Sequence, residues 1–266
     1  MSTLDLSQET VLITGASSGL GKEFATQLAA KGANLVLVAR RQDRLNRIAT
    51  EIRRRHKVKV EVIAKDLSEH GVAGEISWEL STRGITVTSL VNNAGFANYE
   101  SFSDIPTDSL RAEIAVNVHA LVELTHMFLP RFEDRGNGFI LNVASIAGFQ
   151  PSPGMVVYGA TKAFVLSFTE GLYAERKGSG VRIMALCPGP TETEFFRVAG
   201  SDRADGGLKR MSSRDVVAAG IEALLRKSPP PSVVAGTRNK VLTSISQRMP
   251  RRVMTEAMAR IMKRQG

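Results

Sequence analysis

Residues Thr10–Thr14 (TVLIT) run straight into GASSGLG, and a helical pattern with Phe24 and Leu28 on one face follows at once. A short β-branched run with no polar alternation reads as a buried parallel strand. Strand, glycine turn and helix in that order commit the chain to an α/β unit in which the turn can hold phosphate. Glycine lets backbone approach a pyrophosphate, and the amides and dipole of the helix N-terminus attract it. Gly15, Gly19 and Gly21 follow a G-x-x-x-G-x-G spacing, with Ser17, Ser18 and Leu20 between them. The competing reading is a glycine turn that binds nothing.

Further strands follow at regular intervals. Asn34–Ala39 ends without the acid that many dinucleotide-binding folds place there to bond a ribose. Arg40 and Arg41 stand in its place, opening a helix over about 42–55. Two cations at a helix start are unfavourable unless an anion lies nearby. A 2′-phosphate would be that anion, so NADP(H) is favoured and NAD(H) stays open, with Arg40 the preferred contact. Membership of an exposed basic face is the alternative. Lys59–Ala64 alternates as a third strand, and Asp66 with Leu67 closes it. Asp66 suits an adenine amino group or a cap on a helix starting near Ser68. Ser89–Val91 leads into NNAG, where Asn93, Ala94 and Gly95 suit backbone passing close to a cofactor.

One long helix is expected over Thr107–Phe132, with Asn117 as a polar intruder on its apolar stripe. A buried amide must be satisfied, by backbone or by an active-site water. The strand Phe139–Ala144 then delivers Ser145, and a helix over about 157–176 carries Tyr158 and Lys162 one turn apart. A phenol loses its proton near pH ~10, too high for a general base at neutral pH. An ammonium beside it would lower that value, and Ser145 could hold the same substrate oxygen. Taken alone, the pair could be ordinary helix-surface residues. The strand Val181–Leu186 stops at Pro188 and Gly189, where Thr191 could meet a cofactor carboxamide or phosphate. A polar stretch over about 190–212, including Gly206-Gly207, reads as a mobile substrate-closing flap. A helix near Ser213–Lys227 and a strand near Val233–Ala235 precede the tail.

The tail, about 250–264, sets Val253, Met254, Ala257, Met258, Ile261 and Met262 against Arg251, Arg252, Arg260, Lys263 and Arg264, a basic amphipathic helix. It suits packing on its own domain or a second subunit, with peripheral membrane contact as the alternative. The +9 charge of the 266 residues is concentrated here: from Arg203 onward there are 14 Lys/Arg against 4 Asp/Glu. No nucleic-acid reader motif or interleaved aromatic row accompanies that charge, so no nucleic-acid partner is expected. Cys187, the single cysteine, falls in a strand, so no disulfide and no metal site are expected. No apolar run spans a bilayer and MSTLDLSQET lacks the pattern of a signal peptide, which points to the cytoplasm.

TGASSGLG, Asp66, NNAG, Asn117, Ser145, YGATK and the PG-x-T at Pro188–Thr191 stand in the order and spacing of one family. The chain resembles the short-chain dehydrogenase/reductases over nearly its whole length. The resemblance implies a single doubly wound Rossmann domain over residues 1–266, with a seven-stranded parallel sheet flanked by helices, assembled as a homodimer or homotetramer. It implies that Tyr158 is the acid/base and that Lys162 lowers its pKa and binds the nicotinamide ribose. Ser145 would orient the substrate oxygen, and Asn117 would hold a proton-relaying water. A basic residue just before the second glycine, the family's other NADP marker, is absent; Ser18 stands there. The expected activity is hydride transfer between NADP(H) and a carbonyl/secondary alcohol pair. Phe96, Phe149, Pro151, Met155, Phe195 and Phe196 fall in segments expected to line an apolar pocket. Arg197, Lys209 and Arg210 would suit a phosphopantetheine carrier, making 3-oxoacyl thioester reduction the runner-up. A non-catalytic NADP-binding sensor is the alternative outside the enzymes, although it would not need the Ser, Tyr, Lys and Asn set.

Overall fold

The computed structural model describes residues 4–201, 205 and 207–263. Gly206 of the flap and Arg264 of the tail lie outside the described residues, as do the side chains of Met262 and Lys263. Seven parallel strands form one sheet: β1 Thr10–Thr14, β2 Asn34–Ala39, β3 Val60–Ala64, β4 Ser89–Asn92, β5 Phe139–Val143, β6 Arg182–Cys187 and β7 Ser232–Val234. Their order is β3-β2-β1-β4-β5-β6-β7. The chain reverses direction across the sheet between β1 and β4, and ligands of such sheets bind beyond the strand ends at that point.

Both faces of the sheet are covered, which explains why the strands read as continuous apolar runs. Val11, Ile13, Leu35 and Leu37 point to one side, against α1 (Gly19–Ala30), α2 (Gln42–His56) and α8 (Ser213–Leu224). Leu12, Val36 and Val38 alternate to the other side, against α3 (Val72–Thr82) and α5 (Ala120–Arg135). Phe24 and Leu28 of α1, and Leu124 and Phe128 of α5, are fully buried anchors.

Four differences from the sequence reading bear on function. The helix expected from Thr107 is α4 (Thr107–Ile114) and α5 joined by a π-turn, Ala115–His119, which carries Asn117. Such insertions cluster at functional sites because they re-aim one side chain without breaking the helix. The helix expected near Ser68 begins at Val72, so Asp66 turns the chain at Ser68 instead of capping a helix. The flap is less open than its polarity suggests: it contains α7 (Phe195–Val198). Its base is pinned where Glu192 N donates to Met211 O and Met211 N to Pro190 O, both at 2.9 Å. The segment after β7 holds an unanticipated helix, α9 (Thr237–Arg248), before α10 (Arg251–Lys263). No helix among the described residues is long and apolar enough to cross a membrane.

Candidate active site

The C-terminal ends of β1, β2, β4, β5 and β6 open into one cavity of about 800 Å³. Gly15, Ser17, Ser18, Gly19, Leu20, Arg40, Arg41, Asp66, Leu67, Asn93, Ala94, Gly95, Pro188, Gly189 and Thr191 all line it, as do Ser145, Tyr158 and Lys162. Of the residues singled out from the sequence, Gly21 and Asn117 stand just behind the wall.

At the β1 end, Gly15 and Gly19 hold φ of +65° and +51°, a region that side chains avoid. Gly21 packs against the Gly15 carbonyl so closely that a Cβ would collide with it and would lie 2.6 Å from Asn93 Nδ2. The turn is thus folded tightly against the β4 end, leaving a cradle of backbone that any larger residue would fill. Thr14 completes the clasp: its Oγ1 accepts from Asn93 N at 2.9 Å and Ala94 N at 3.0 Å. Nothing about Thr14 in the sequence separates this role from that of a strand residue.

The two arginines after β2 divide their work. Arg40 is 71% exposed and reaches Asp66 Oδ2 at 3.5 Å. Burial alone would raise the Asp66 carboxyl, but two hydrogen bonds from Ser68 and the Arg40 charge hold it below the usual carboxylate range. Arg41 instead donates to Ser17 Oγ and Ser18 Oγ and pairs with Glu194 Oε2 at 2.9 Å. Arg44 reaches the same carboxylate at 2.8 Å. Glu194 thereby straps the start of the flap across the glycine turn, where Thr193 already covers Gly19. Hydrogen bonds from Arg41 and Arg44 pull the Glu194 carboxyl down to about 2.

At the floor, Ser145 caps a short turn, accepting from Ala147 N at 3.1 Å, and its hydroxyl acts on the Tyr158 phenol, lowering its pKa. Tyr158 and Lys162 project from α6 (Val156–Glu175). Lys162 Nζ donates to Val143 O at 2.8 Å and lies 5.7 Å from the Tyr158 ring centre. The sequence led us to expect a phenol acidified by this amine. No such acidification appears in the site without cofactor: burial, with a smaller push from the Glu113 charge, raises the phenol to about 12, and burial lowers the amine to about 8, while the Ser145 hydroxyl pulls the phenol back only in part. Asn117 takes backbone partners, donating to Phe96 O at 2.9 Å and accepting from Phe96 N at 3.1 Å; it also donates to Thr161 Oγ1 at 3.1 Å. Gly95 leaves room between Asn117 and the amine: a Cβ there would lie 3.0 Å from Asn117 Oδ1 and 3.3 Å from Lys162 Nζ.

Glu113 was not legible in the sequence as a site residue. It is fully buried one turn before Asn117 and accepts from Asn98 N and Nδ2 at 3.3 and 2.6 Å. Burial raises its carboxyl pKa. The expected apolar wall holds for Phe96, Met155, Phe195 and Phe196. It fails for Phe149 and Pro151, whose place is taken by Gln150, Ser152 and Pro153. Phe149 packs instead against the core cluster that includes Ala144, Val165 and Cys187. Phe195 tilts against the Tyr158 ring at 5.2 Å. Two flap cations are engaged within the flap: Arg197 with Glu194, and Arg210 with Asp205 and the face of Phe196.

The residues fit a dinucleotide: an open glycine cradle at one end, and a phenol, a hydroxyl and an amine converging at the other. Comparison with known proteins agrees. The family model described as "short chain dehydrogenase" matches residues 9–204. Sulfoacetaldehyde reductase 2 of Chromohalobacter salexigens is 39% identical over 204 residues, 75% of this chain and 80% of the relative. The very-long-chain 3-oxoacyl-CoA reductase of Bos taurus is 34% identical over 194 residues, 71% of this chain and 62% of the relative. A short-chain dehydrogenase from Sphingobium yanoikuyae, solved with NADPH, superposes with a TM-score of 0.79 at 35% identity, covering 90% of this chain and 93% of that one. The chain belongs to the short-chain dehydrogenase family.

Proposed function

We propose that the chain is an NADP(H)-dependent oxidoreductase interconverting a hydrophobic carbonyl and its secondary alcohol, with NAD(H) as the second cofactor candidate. The observation that carries this reading is the convergence of Ser145, Tyr158 and Lys162 in one cavity with the glycine turn and Arg40. Arg40, exposed beside the β2 end, supports recognition of a 2′-phosphate, and Gly15 to Leu20 and Asn93 to Gly95 frame the rest of the cofactor. Bound as the reduced form, the nicotinamide supplies a hydride to the carbonyl carbon.

The chain's own groups handle the oxygen and its proton. Ser145 donates to the carbonyl oxygen while Tyr158 Oη delivers the proton that completes the alcohol. A phenol held near 12 is fully protonated at neutral pH, so the site without cofactor is prepared as an acid, the form that reduction needs. Lys162 stands behind Tyr158 and holds the ribose. Asn117, fixed to the Phe96 backbone, positions that amine and the water that resupplies it. Met155, Phe195 and Phe196 exclude water from the reacting carbon and favour apolar substituents.

Reduction of a 3-oxoacyl thioester is the second reading, favoured by the bovine relative. Self-association belongs to the proposal as well: Phe164 and Phe168 stack at 5.9 Å on α6, and Phe164 is 43% exposed. The whole chain is read as one domain working in the cytoplasm. The test is a panel of apolar ketones and a 3-oxoacyl-CoA, followed by loss of NADPH absorbance. Oxidation of NADPH by apolar ketones is expected. Tight NADPH binding without turnover on any carbonyl would overturn the reading in favour of a sensor.

A further inference from the structure

The cavity runs on from the catalytic floor to the last helices, where it is lined by Val198 of α7, Leu242 and Ile245 of α9 and Ile261 of α10. These four side chains are also 38–55% open to solvent. They form a rim, not a closed wall. Val241 and Val253, on the same two last helices, are about half exposed without lining the cavity. Six of the eleven large hydrophobic side chains exposed among the described residues thus lie on α7, α9 and α10. Apolar surface gathered around one opening marks a place of contact, whereas scattered exposure needs no explanation.

The charge on the same helices selects the partner. Between Thr237 and Ile261 stand Arg238, Lys240, Arg248, Arg251, Arg252 and Arg260, against Glu256 alone. Arg252 and Arg260 both lean on Glu256, at 3.1 and 3.7 Å, yet their side chains remain 91% and 76% exposed. A second copy pairing on this face would set like charges against each other across a two-fold axis. An anionic bilayer meets both features, taking the cations at its headgroups and the apolar rim below them.

We propose that the α9–α10 face docks on an anionic lipid surface, so that the cavity mouth opens towards the acyl region and apolar substrates enter from the bilayer. This rests on the hydrophobic-carbonyl reading for what enters, but the docking itself needs no turnover and is measured without it. The test is co-sedimentation of the full chain with vesicles of phosphatidylcholine containing phosphatidylglycerol, beside vesicles of phosphatidylcholine alone. Binding to the mixed vesicles, much weaker binding to the neutral ones and loss of affinity in high salt are expected. Arg251→Glu with Arg252→Glu should weaken binding on the order of tenfold or more, and Val241→Glu with Val253→Glu should do the same. Both pairs should leave NADPH affinity and melting temperature unchanged, which also shows that they fold. Absence of binding to the anionic vesicles, or binding that neither pair alters, would overturn the proposal. So would a fall in solution mass on Val241→Glu with Val253→Glu, which would assign the face to a second copy. Failure of every ketone with vesicle binding intact would sink the enzymatic reading and leave docking standing.

Discussion

Replacing Glu194 by Gln isolates the charge that straps the flap over the glycine turn, because the side chain keeps its size and one acceptor oxygen. The carboxylate meets Arg44 at 2.8 Å and Arg41 at 2.9 Å, with its side chain 32% exposed and those of the arginines 43% and 39% exposed. Partly exposed pairs of this kind contribute roughly 0.2–1 kcal/mol each, so the two together are worth on the order of 1 kcal/mol. For a chain of this size that corresponds to a melting temperature lower by roughly 2–4 °C. The Glu194 pKa is depressed in the folded chain, so its stabilisation is complete above the ordinary carboxylate value and is lost as pH falls towards about 2. Melting of the two proteins at pH 7 should therefore show the full gap, and melting at pH 4 a smaller one. High salt should narrow the gap as well. Limited trypsin digestion at pH 7 should nick the variant faster at Arg197, Lys209 or Arg210. Equal melting and equal nicking would refute the strap, and so would a gap that neither acid nor salt reduces.

Three further outcomes follow from the same geometry. Gly21→Ala should abolish NADPH binding, since its Cβ would strike the Gly15 carbonyl and the Asn93 amide; titration by nicotinamide fluorescence checks it. Arg40→Ala should weaken NADPH and leave NADH almost untouched, and equal losses for both would remove Arg40 from the phosphate site. With Lys162 held down at about 8 by burial, its amine is charged below that value and neutral above it. The kcat/KM for NADPH should accordingly fall as pH rises through about 8, and a flat profile would contradict the role given to the amine.

The strands were legible because burial on both faces leaves no polar alternation to confuse them; β1 and β2 match the sequence reading residue for residue. The converging set was legible because each member sits at a strand end or on the first turns of α6, where residue type and spacing survive in one dimension. What escaped the reading depended on packing across the chain. Helix α9 buries Asn239, Thr243 and Ser246 while Val241, Leu242 and Ile245 stay partly exposed, so polar residues and not an apolar period mark its buried face. The π-turn at Asn117 leaves no periodic trace, and the strap by Glu194 joins residues about 150 positions apart. The Tyr158 phenol shows why proximity in sequence is not enough. It stands four positions from an amine, yet dehydration sets its acidity in the site without cofactor.

The most direct trial of the account is Tyr158→Phe, measured for NADPH affinity and for single-turnover reduction of an apolar ketone that the wild-type chain reduces. Removing a positioned proton donor typically costs on the order of 10²–10⁴ in rate. We predict a loss in that range with NADPH bound about as tightly as before, because the ring still packs on Phe195 and fills the same space. Reduction at an undiminished rate would show that the proton comes from elsewhere, and the site built here around one hydroxyl would have to be abandoned.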